Sequence, residues 1–183
     1  MDAHPHSHYK YCPRCGTKGQ FNDEQLSFSC SACGFQFFLN ASAAVSALIF
    51  NNKGELLMTH RGVEPALGML DLPGGFIDPG ESAEIALLRE IEEELDLVPE
   101  MIEYYGSFPN EYQYSGTIVF TVDLVFKCKV TDFSQLKFRD DIAGIQFIHP
   151  LLINIEDLPF QSVRNLIKEI QNEYGNSAKA GQA

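Results

Sequence analysis

No run of apolar residues in this chain approaches the roughly 20 that a membrane-spanning helix needs, so a bundle of transmembrane helices is excluded. The opening segment MDAHPHSHYK also has no apolar stretch of the kind a secretory leader carries, and the expectation is a cytoplasmic protein with no membrane partner. Positive charge is scarce: 13 Lys and Arg stand against 25 Asp and Glu, for a formal net charge of −12. A field of that sign repels duplex nucleic acid. It still admits a phosphorylated small molecule if divalent cations bridge carboxylates to phosphates. Cysteine is sparse, with four of the five residues in two Cys-x-x-Cys pairs and Cys128 alone, which without a secretory segment favours metal over disulfides. What the chain does have is a 45% hydrophobic content over 183 residues, enough for one medium domain plus a small appendage.

Residues 1–11, with His4, His6 and His8 among polar neighbours, read as a flexible tail. Residues 12–38 hold the cysteine pairs and are too short to keep a core without a staple. The main domain spans 41–173, and the small, polar stretch 174–183 reads as a second flexible tail. Within the domain, Ala43–Phe50 predicts a buried strand, with Glu55–Arg61 as its hairpin partner across the turn NNKG. Leu70–Ile77 is broken by Pro73, Gly74 and Gly75 into two short extended pieces. Thr117–Lys129 predicts a long central strand, Ile142–Ile148 a later one, and Ser162–Tyr174 a second helix. Cys128 reads as an apolar strand residue. This order predicts an α/β fold with a mixed sheet between helices.

The first helix is the clearest element: Ser82 predicts the N-cap, Glu84 sits in the first turn, and Leu88, Ile91 and Leu95 form an apolar stripe. At about 100° per residue, Glu90, Glu93 and Glu94 share another face, beside Ala83 and Ala86, whereas Glu92 points elsewhere. Three like charges at that spacing repel one another. A hard divalent cation, Mg²⁺ or Mn²⁺, relieves the repulsion and takes its remaining ligands from water and phosphate.

From Gly75 the order is five residues, Glu81, seven residues, then Arg89-Glu90-Ile91-Glu92-Glu93-Glu94-Leu95-Asp96-Leu97. This resembles the Nudix box, with Asp96 in place of its late Gly. The resemblance implies a Nudix-like α/β/α sandwich and hydrolysis of a phosphoanhydride in a nucleotide-like substrate. It implies that Glu90, Glu93 and Glu94 are the catalytic metal-binding carboxylates, with the Gly74 carbonyl as a further ligand. It gives Gly75 and the Glu81–Arg89 pair structural roles in the box. Related enzymes often place an acidic loop residue near Asp141, which with Glu111 is a candidate to contact metal or water. Either Glu90 or such a loop acid is the general base. Asp at position 96 must accept a left-handed backbone at the helix end.

Cys12-Pro13-Arg14-Cys15-Gly16 and Cys30-Ser31-Ala32-Cys33-Gly34 are two matching knuckles, a pattern for a closed structural Zn²⁺ site. A ribbon before the box resembles the NADH pyrophosphatase branch, which splits dinucleotides between their phosphates and implies a homodimer. That branch carries Ser-Gln-Pro-Trp-Pro-Phe-Pro after the box, where this chain has Gly106-Ser107-Phe108-Pro109-Asn110-Glu111-Tyr112. The substrate therefore stays open among NADH, NAD, ADP-ribose, FAD and nucleotide-sugars. Phe108, Tyr112 and Tyr114 are candidates to stack on its ring. The competing expectations are a hydrolase of NAD-capped RNA ends and a nucleotide-sensing or RNA-binding regulator. The intact carboxylate set and the ribbon's few basic residues, Arg14 and Lys18, argue against the regulator.

Overall fold

The computed structural model describes residues 4–139 and 141–180, with side chains as far as residue 176. These residues divide into two compact units, one made of the chain up to Ser42 with Glu111–Phe120, the other of Ala43–Asn110 with the chain from Thr121 on.

The smaller unit holds a three-stranded antiparallel sheet, β1 (Gln20–Asn22), β2 (Ser27–Ser29) and β3 (Gln36–Phe38), in which Phe21, Phe28 and Phe37 lie in register. Phe28 is fully buried, and Gly19 leaves room for its ring, since a Cβ there would lie 2.2 Å from it. The N-terminal segment, read from the sequence as a tail, has local structure from residue 4 on. Pro5–His8 form a turn of 3₁₀ helix with Pro5 buried, and Tyr9 packs edge-on against Phe37 at 4.8 Å. The aromatic rings of so small a core recruit this flanking segment; residues 1–3 lie outside those described.

In the larger unit, β4 (Ser42–Ile49) starts a four-stranded sheet of order β7-β4-β9-β8, and β5 (Leu56–Arg61) is the middle of a second sheet, β10-β5-β6. The remaining strands are β6 (Leu70–Asp71), β7 (Gly74–Phe76), β8 (Met101–Tyr114), β9 (Thr117–Lys129) and β10 (Ile142–Ile148). The expected β4–β5 hairpin is only partly made. The turn forms, with Asn51 Oδ1 accepting from the amides of Lys53 and Glu55, but one bridge, Phe50 to Leu56, joins the strands before they part into different sheets. Leu56, Leu57 and Met58 are all buried, so β5 needs partners on both edges and finds them in β10 and β6.

Strand alternation assigns the two faces. Val45, Ala47 and Ile49 of β4, Leu57 of β5 and Phe126 and Cys128 of β9 pack against helix α1 (Ala83–Leu95). Leu48, Leu56, Met58 and Val125 turn the other way, onto Val163, Leu166, Ile167 and Ile170 of helix α2 (Gln161–Ala180). The result is the α/β/α layering expected. The buried stripe of α1 is Ala86, Leu87, Ile91 and Leu95, while Leu88, expected inside, is half exposed. Helix α2 runs through Ala180, past the Tyr174 end expected from the sequence. Gly175 costs this helix about 1 kcal/mol relative to Ala, too little to end a segment whose preceding turns are buried.

Candidate active site

The helix cap works as the sequence indicates. Ser82 Oγ accepts from the Ile85 amide, and Asp96 closes the helix at φ 58°, ψ 33°, its amide donating to the Glu92 carbonyl. The left-handed residue that the box supplies as Gly is here an Asp with a second task. Its Oδ2 accepts from Arg139 Nη2 at 2.9 Å and lies 3.3 Å from Lys137 Nζ. The backbone follows the same course: the amides of Lys137 and Arg139 donate to the carbonyls of Leu95 and Glu94. Two otherwise unsatisfied carbonyls of the helix end are thus used to hold the loop that leads to Asp141.

Asp96→Gly removes the cost of a non-glycine left-handed residue together with two exposed ion pairs, each worth at most about 1 kcal/mol. Thermal stability should therefore change little, while amide hydrogen exchange over residues 137–142 accelerates severalfold. Unaltered exchange in that segment would show that the backbone bonds alone hold the loop.

On the other side of the helix, Arg89 organises the carboxylates. Its Nε and Nη2 form a fork with Glu81 Oε1 and Oε2, both at 2.9 Å, and Nη2 also donates to the Phe76 carbonyl. Nη1 reaches Glu90 Oε1 at 2.8 Å and Glu93 Oε2 at 3.2 Å. Such bidentate geometry fixes both planes. Glu81 accepts in addition from the Asp78 amide, so the loop before the helix is tied to the helix itself. The hydrogen bonds from Arg89, followed by the one from Asp78, hold the Glu81 carboxyl below its ordinary range.

The paired glycines explain why nothing larger precedes the helix. Gly74 has φ 147°, and a Cβ on it would fall 2.0 Å from the Val45 carbonyl oxygen across the β4–β7 pairing. A Cβ on Gly75 would lie 2.4 Å from Glu90 Oε1. The backbone therefore passes directly against the carboxylates, and the Gly74 amide donates to Glu94 Oε2 at 3.0 Å.

Burial raises the Glu90 carboxyl, with Arg89 opposing. Glu94 is pushed up to about 8, first by burial, with Glu90, Asp71 and Asp141 adding repulsion against the Gly74 amide. Glu93 is more open, its side chain 53% exposed. Asp141 is exposed and near enough for its charge to be felt at Glu94, and its carbonyl accepts from the Gly62 amide. Asp140 lies outside the described residues. Glu111 is exposed within the smaller unit.

The four ribbon cysteines come together as expected. Cys12 and Cys33 Sγ are 3.6 Å apart, as are those of Cys15 and Cys30, and all four lie within 4.8 Å of one another. Tetrahedral zinc thiolates require sulfurs about 3.8 Å apart, so the set fits the ion with little adjustment. The two knuckles repeat one geometry: Gly16 and Gly34 have φ 73° and 72°, and their amides donate to the Cys12 and Cys30 carbonyls at 2.9 Å. Among the described residues His4, His6 and Asp23 form another group with ligand atoms within 4.8 Å, His6 Nδ1 standing 2.8 Å from Asp23 Oδ1.

The aromatic candidates divide. Phe108 packs in the α2-side core of the larger unit, while Tyr112 and Tyr114 stack on each other within the smaller one, ring centroids 6.2 Å apart. Sequence reasoning passed over the Arg61–Asp71 pair, 2.9 Å apart with both side chains largely buried, and over Asp123, which is 9% exposed. The signal for Asp123 was present: a carboxylate in the middle of the apolar strand TVDLVF needs a reason to be there.

The sequence profile of the NUDIX domain matches residues 41–168, and the chain belongs to that family. It is 24% identical over 164 residues to the NAD-capped RNA hydrolase NudC of Vibrio atlanticus, covering 88% of this chain and 59% of that protein. It is 29% identical over 116 residues to NudC of Haemophilus influenzae, covering 63% and 44%. The chain thus spans about half the length of the curated relatives it matches. Among solved structures, a NUDIX hydrolase from Nitrosomonas europaea aligns with TM-score 0.67 at 19% identity, over 91% of this chain and 93% of that one. The NUDIX domain of Shewanella oneidensis NrtR, complexed with ADP ribose, aligns with TM-score 0.58 at 23% identity, over 75% and 90%. At these identities the likeness shows the fold. Among the described residues no helix is long and apolar enough to cross a membrane.

Proposed function

We propose that this protein is a divalent-metal-dependent pyrophosphohydrolase that cleaves a nucleoside diphosphate linked to another moiety, of the NADH, NAD, ADP-ribose or FAD type, and releases a nucleoside monophosphate. The observation that carries the reading is that Glu90 and Glu94 lie against a glycine backbone that admits no side chain, with Glu93 joined to Glu90 through Arg89. A carboxylate held up to about 8 by burial and by three acidic neighbours has a place for a cation beside it, and oxygen donors of this kind suit Mg²⁺ or Mn²⁺. Glu90, Glu93, Glu94 and the Gly74 carbonyl are the residues that would hold it. When bound, the ion neutralises charge on the phosphoryl oxygens and lowers the pKa of water.

The chain's own residues set the geometry. Arg89 holds Glu81, Glu90 and Glu93 in fixed relation, the Gly74 amide orients Glu94, and Asp96 restrains the loop bearing Asp141. Glu90 or Asp141 accepts the proton of the attacking water. The four cysteines hold a structural zinc that takes no part in hydrolysis, because a closed thiolate shell leaves no open position. The absence of a membrane-crossing helix among the described residues supports a cytoplasmic setting, and the small-nucleotide reading leaves duplex nucleic acid aside.

The printed activity of the NudC relatives supports NAD-type substrates, including NAD-capped RNA ends, as a second reading within the same chemistry. The test is turnover of NADH, NAD, ADP-ribose, FAD and nucleotide-sugars with Mg²⁺ or Mn²⁺, with products identified by mass. Release of a nucleoside monophosphate from at least one is the expected result. Folded, zinc-loaded protein that turns over none of them would favour capped RNA or a nucleotide sensor.

A further inference from the structure

The face of the larger unit that packs under α2 is mainly apolar, and it carries one cluster of buried polar side chains. Asn110, Thr121, Asp123 and Ser162 are all more than nine-tenths buried there, at 8%, 4%, 9% and 2% exposure. Strands β8 and β9 are joined by the two-residue turn Ser115–Gly116, both residues at positive φ as a tight hairpin requires. Counting back from that turn puts Asn110 opposite Thr121 and Phe108 opposite Asp123. Thr121, Asp123 and Val125 share one side of β9, and Val125 belongs to the α2-side core. Ser162 enters from the first turn of α2.

The polar groups in this patch are incompletely satisfied. Thr121 Oγ1 donates to Asp123 Oδ1 at 2.9 Å and so orients the carboxylate. Asn110 Oδ1 has no hydrogen-bond partner among the described residues, and Ser162, whose hydroxyl faces the Asp123 carboxylate and opposes the rise that burial gives it, keeps its oxygen lone pairs free to accept. Buried polar atoms are almost always paired, and an amide oxygen left without a donor in a patch that also holds a buried carboxylate marks a place built to meet something else. The deficit is of donors, because the carboxylate and the amide oxygen both accept. Two partly buried rings, Phe108 and Phe160, pack against the same core, and the Arg61 guanidinium lies over the Phe160 ring at 5.0 Å from its centroid. Arg61 in turn pairs with Asp71. Burial pushes Asp71 up to about 6 against the pull of Arg61, and the charge of Asp123 adds to the rise. Asp71 is also one of the acids felt at Glu94. Asp71 is thus the residue that both the patch and the carboxylate helix reach.

We propose that Asn110, Asp123 and Ser162, with Thr121 orienting the carboxylate, recognise an exocyclic –NH₂ group on a planar ring of the substrate, the ring lying by Phe108 and Phe160. Flat apolar walls with a few convergent acceptors are the composition of a ring-binding pocket. Two groups of a nicotinamide adenine dinucleotide carry this chemistry, the adenine amino group and the nicotinamide carboxamide. The inference rests on the dinucleotide-hydrolase reading and names the part of the substrate that sets its specificity.

The experiment compares NAD with its hypoxanthine analogue, in which the adenine amino group is a carbonyl, and its nicotinic acid analogue, in which the carboxamide is a carboxylate. In the wild-type protein one analogue should lose roughly tenfold or more in kcat/KM, mainly through KM, because a site built to hydrogen-bond a donor rejects the analogue that lacks it. Which analogue loses identifies the group recognised. Asn110→Leu and Asp123→Asn should erase that discrimination, with thermal melting confirming that they fold. If Asp123→Asn does not fold, Thr121→Val and Asn110→Leu carry the comparison. Equal use of all three dinucleotides by the wild type, or discrimination that survives in the folded variants, would overturn the proposal. If no dinucleotide is hydrolysed, the hydrolase reading fails by itself. Calorimetric binding of the same three compounds then decides the subsite, with the same preference expected and its absence overturning it.

Discussion

Glu93→Gln and Glu94→Gln are each expected to lower turnover roughly 10²- to 10³-fold, while Glu92→Gln leaves it nearly unchanged. A bound divalent ion contributes several kcal/mol to a phosphoryl transition state, and each ~1.4 kcal/mol is a factor of ten. Glu94 accepts from the glycine loop and Glu93 is tied through Arg89 to Glu90 and Glu81, whereas Glu92 is exposed on another face. Steady-state kinetics with melting curves checks the result, and a Glu92 variant as damaged as the others would show that the wrong face carries the chemistry. The buried member of the set also fixes a pH dependence. The folded protein holds the Glu94 proton up to about 8, above the ordinary value of 4.5, so between those limits the unfolded chain binds fewer protons than the folded one. The contribution of this group to metal-free stability is complete below the lower limit and is lost as pH rises towards 8. A divalent ion competes with that same proton. The rise in melting temperature given by Mn²⁺ should therefore grow between pH 6 and 8.5, with about one proton released per ion bound. In Glu94→Gln this growth should be much reduced, and a Mn²⁺ response independent of pH in the wild type would contradict the role given to Glu94.

Removing the zinc proposed for the four cysteines should have the larger structural effect. The apolar core of the cysteine segment consists of buried Cys12, Phe28 and Cys30, with rings of Tyr9, Phe21, Phe35 and Phe37 around them. Cores of this size do not outweigh the entropy of ordering their chain. Zinc binding to comparable small sites contributes about 10 to 16 kcal/mol, so the ion and the fold of the segment are one equilibrium. Strong chelation, or Cys15→Ser, should broaden the amide signals of residues 9–38 to those of an unfolded chain. The α1 and α2 cores contain no residue of the ribbon and should stay folded. A ribbon that remains ordered after complete metal removal, shown by elemental analysis, would disprove the structural role.

The parts of the protein that the sequence made legible are those whose chemistry is local. Three glutamates on one side of a helix and the paired knuckles follow from spacing along one short segment, because neighbouring turns bring them together, and the Glu81–Arg89 brace follows from the resemblance to the box. The apolar stripe of α1 was harder, since Leu87 and Leu88 are both four residues or fewer from Ile91, and only the position of the sheet decides between them. Strand β8 escaped notice because Gly106 and Pro109 interrupt it. It lies at the end of its sheet, where a residue without an amide hydrogen is tolerated. The parting of β4 and β5 into separate sheets depends on partners far along the chain. So does the patch around Asp123, whose members come from β8, β9 and α2.

The closure of α1 by Asp96 bears on how the family diverges. A glycine at that position reaches the left-handed conformation unaided and asks nothing of its neighbours, whereas an aspartate places a negative charge 2.9 Å from Arg139 and 3.3 Å from Lys137. Selection then acts on the three sites jointly. Across homologues, an acid at the helix end should be accompanied by cations in the following loop, and lineages with glycine should let those cations drift to any residue.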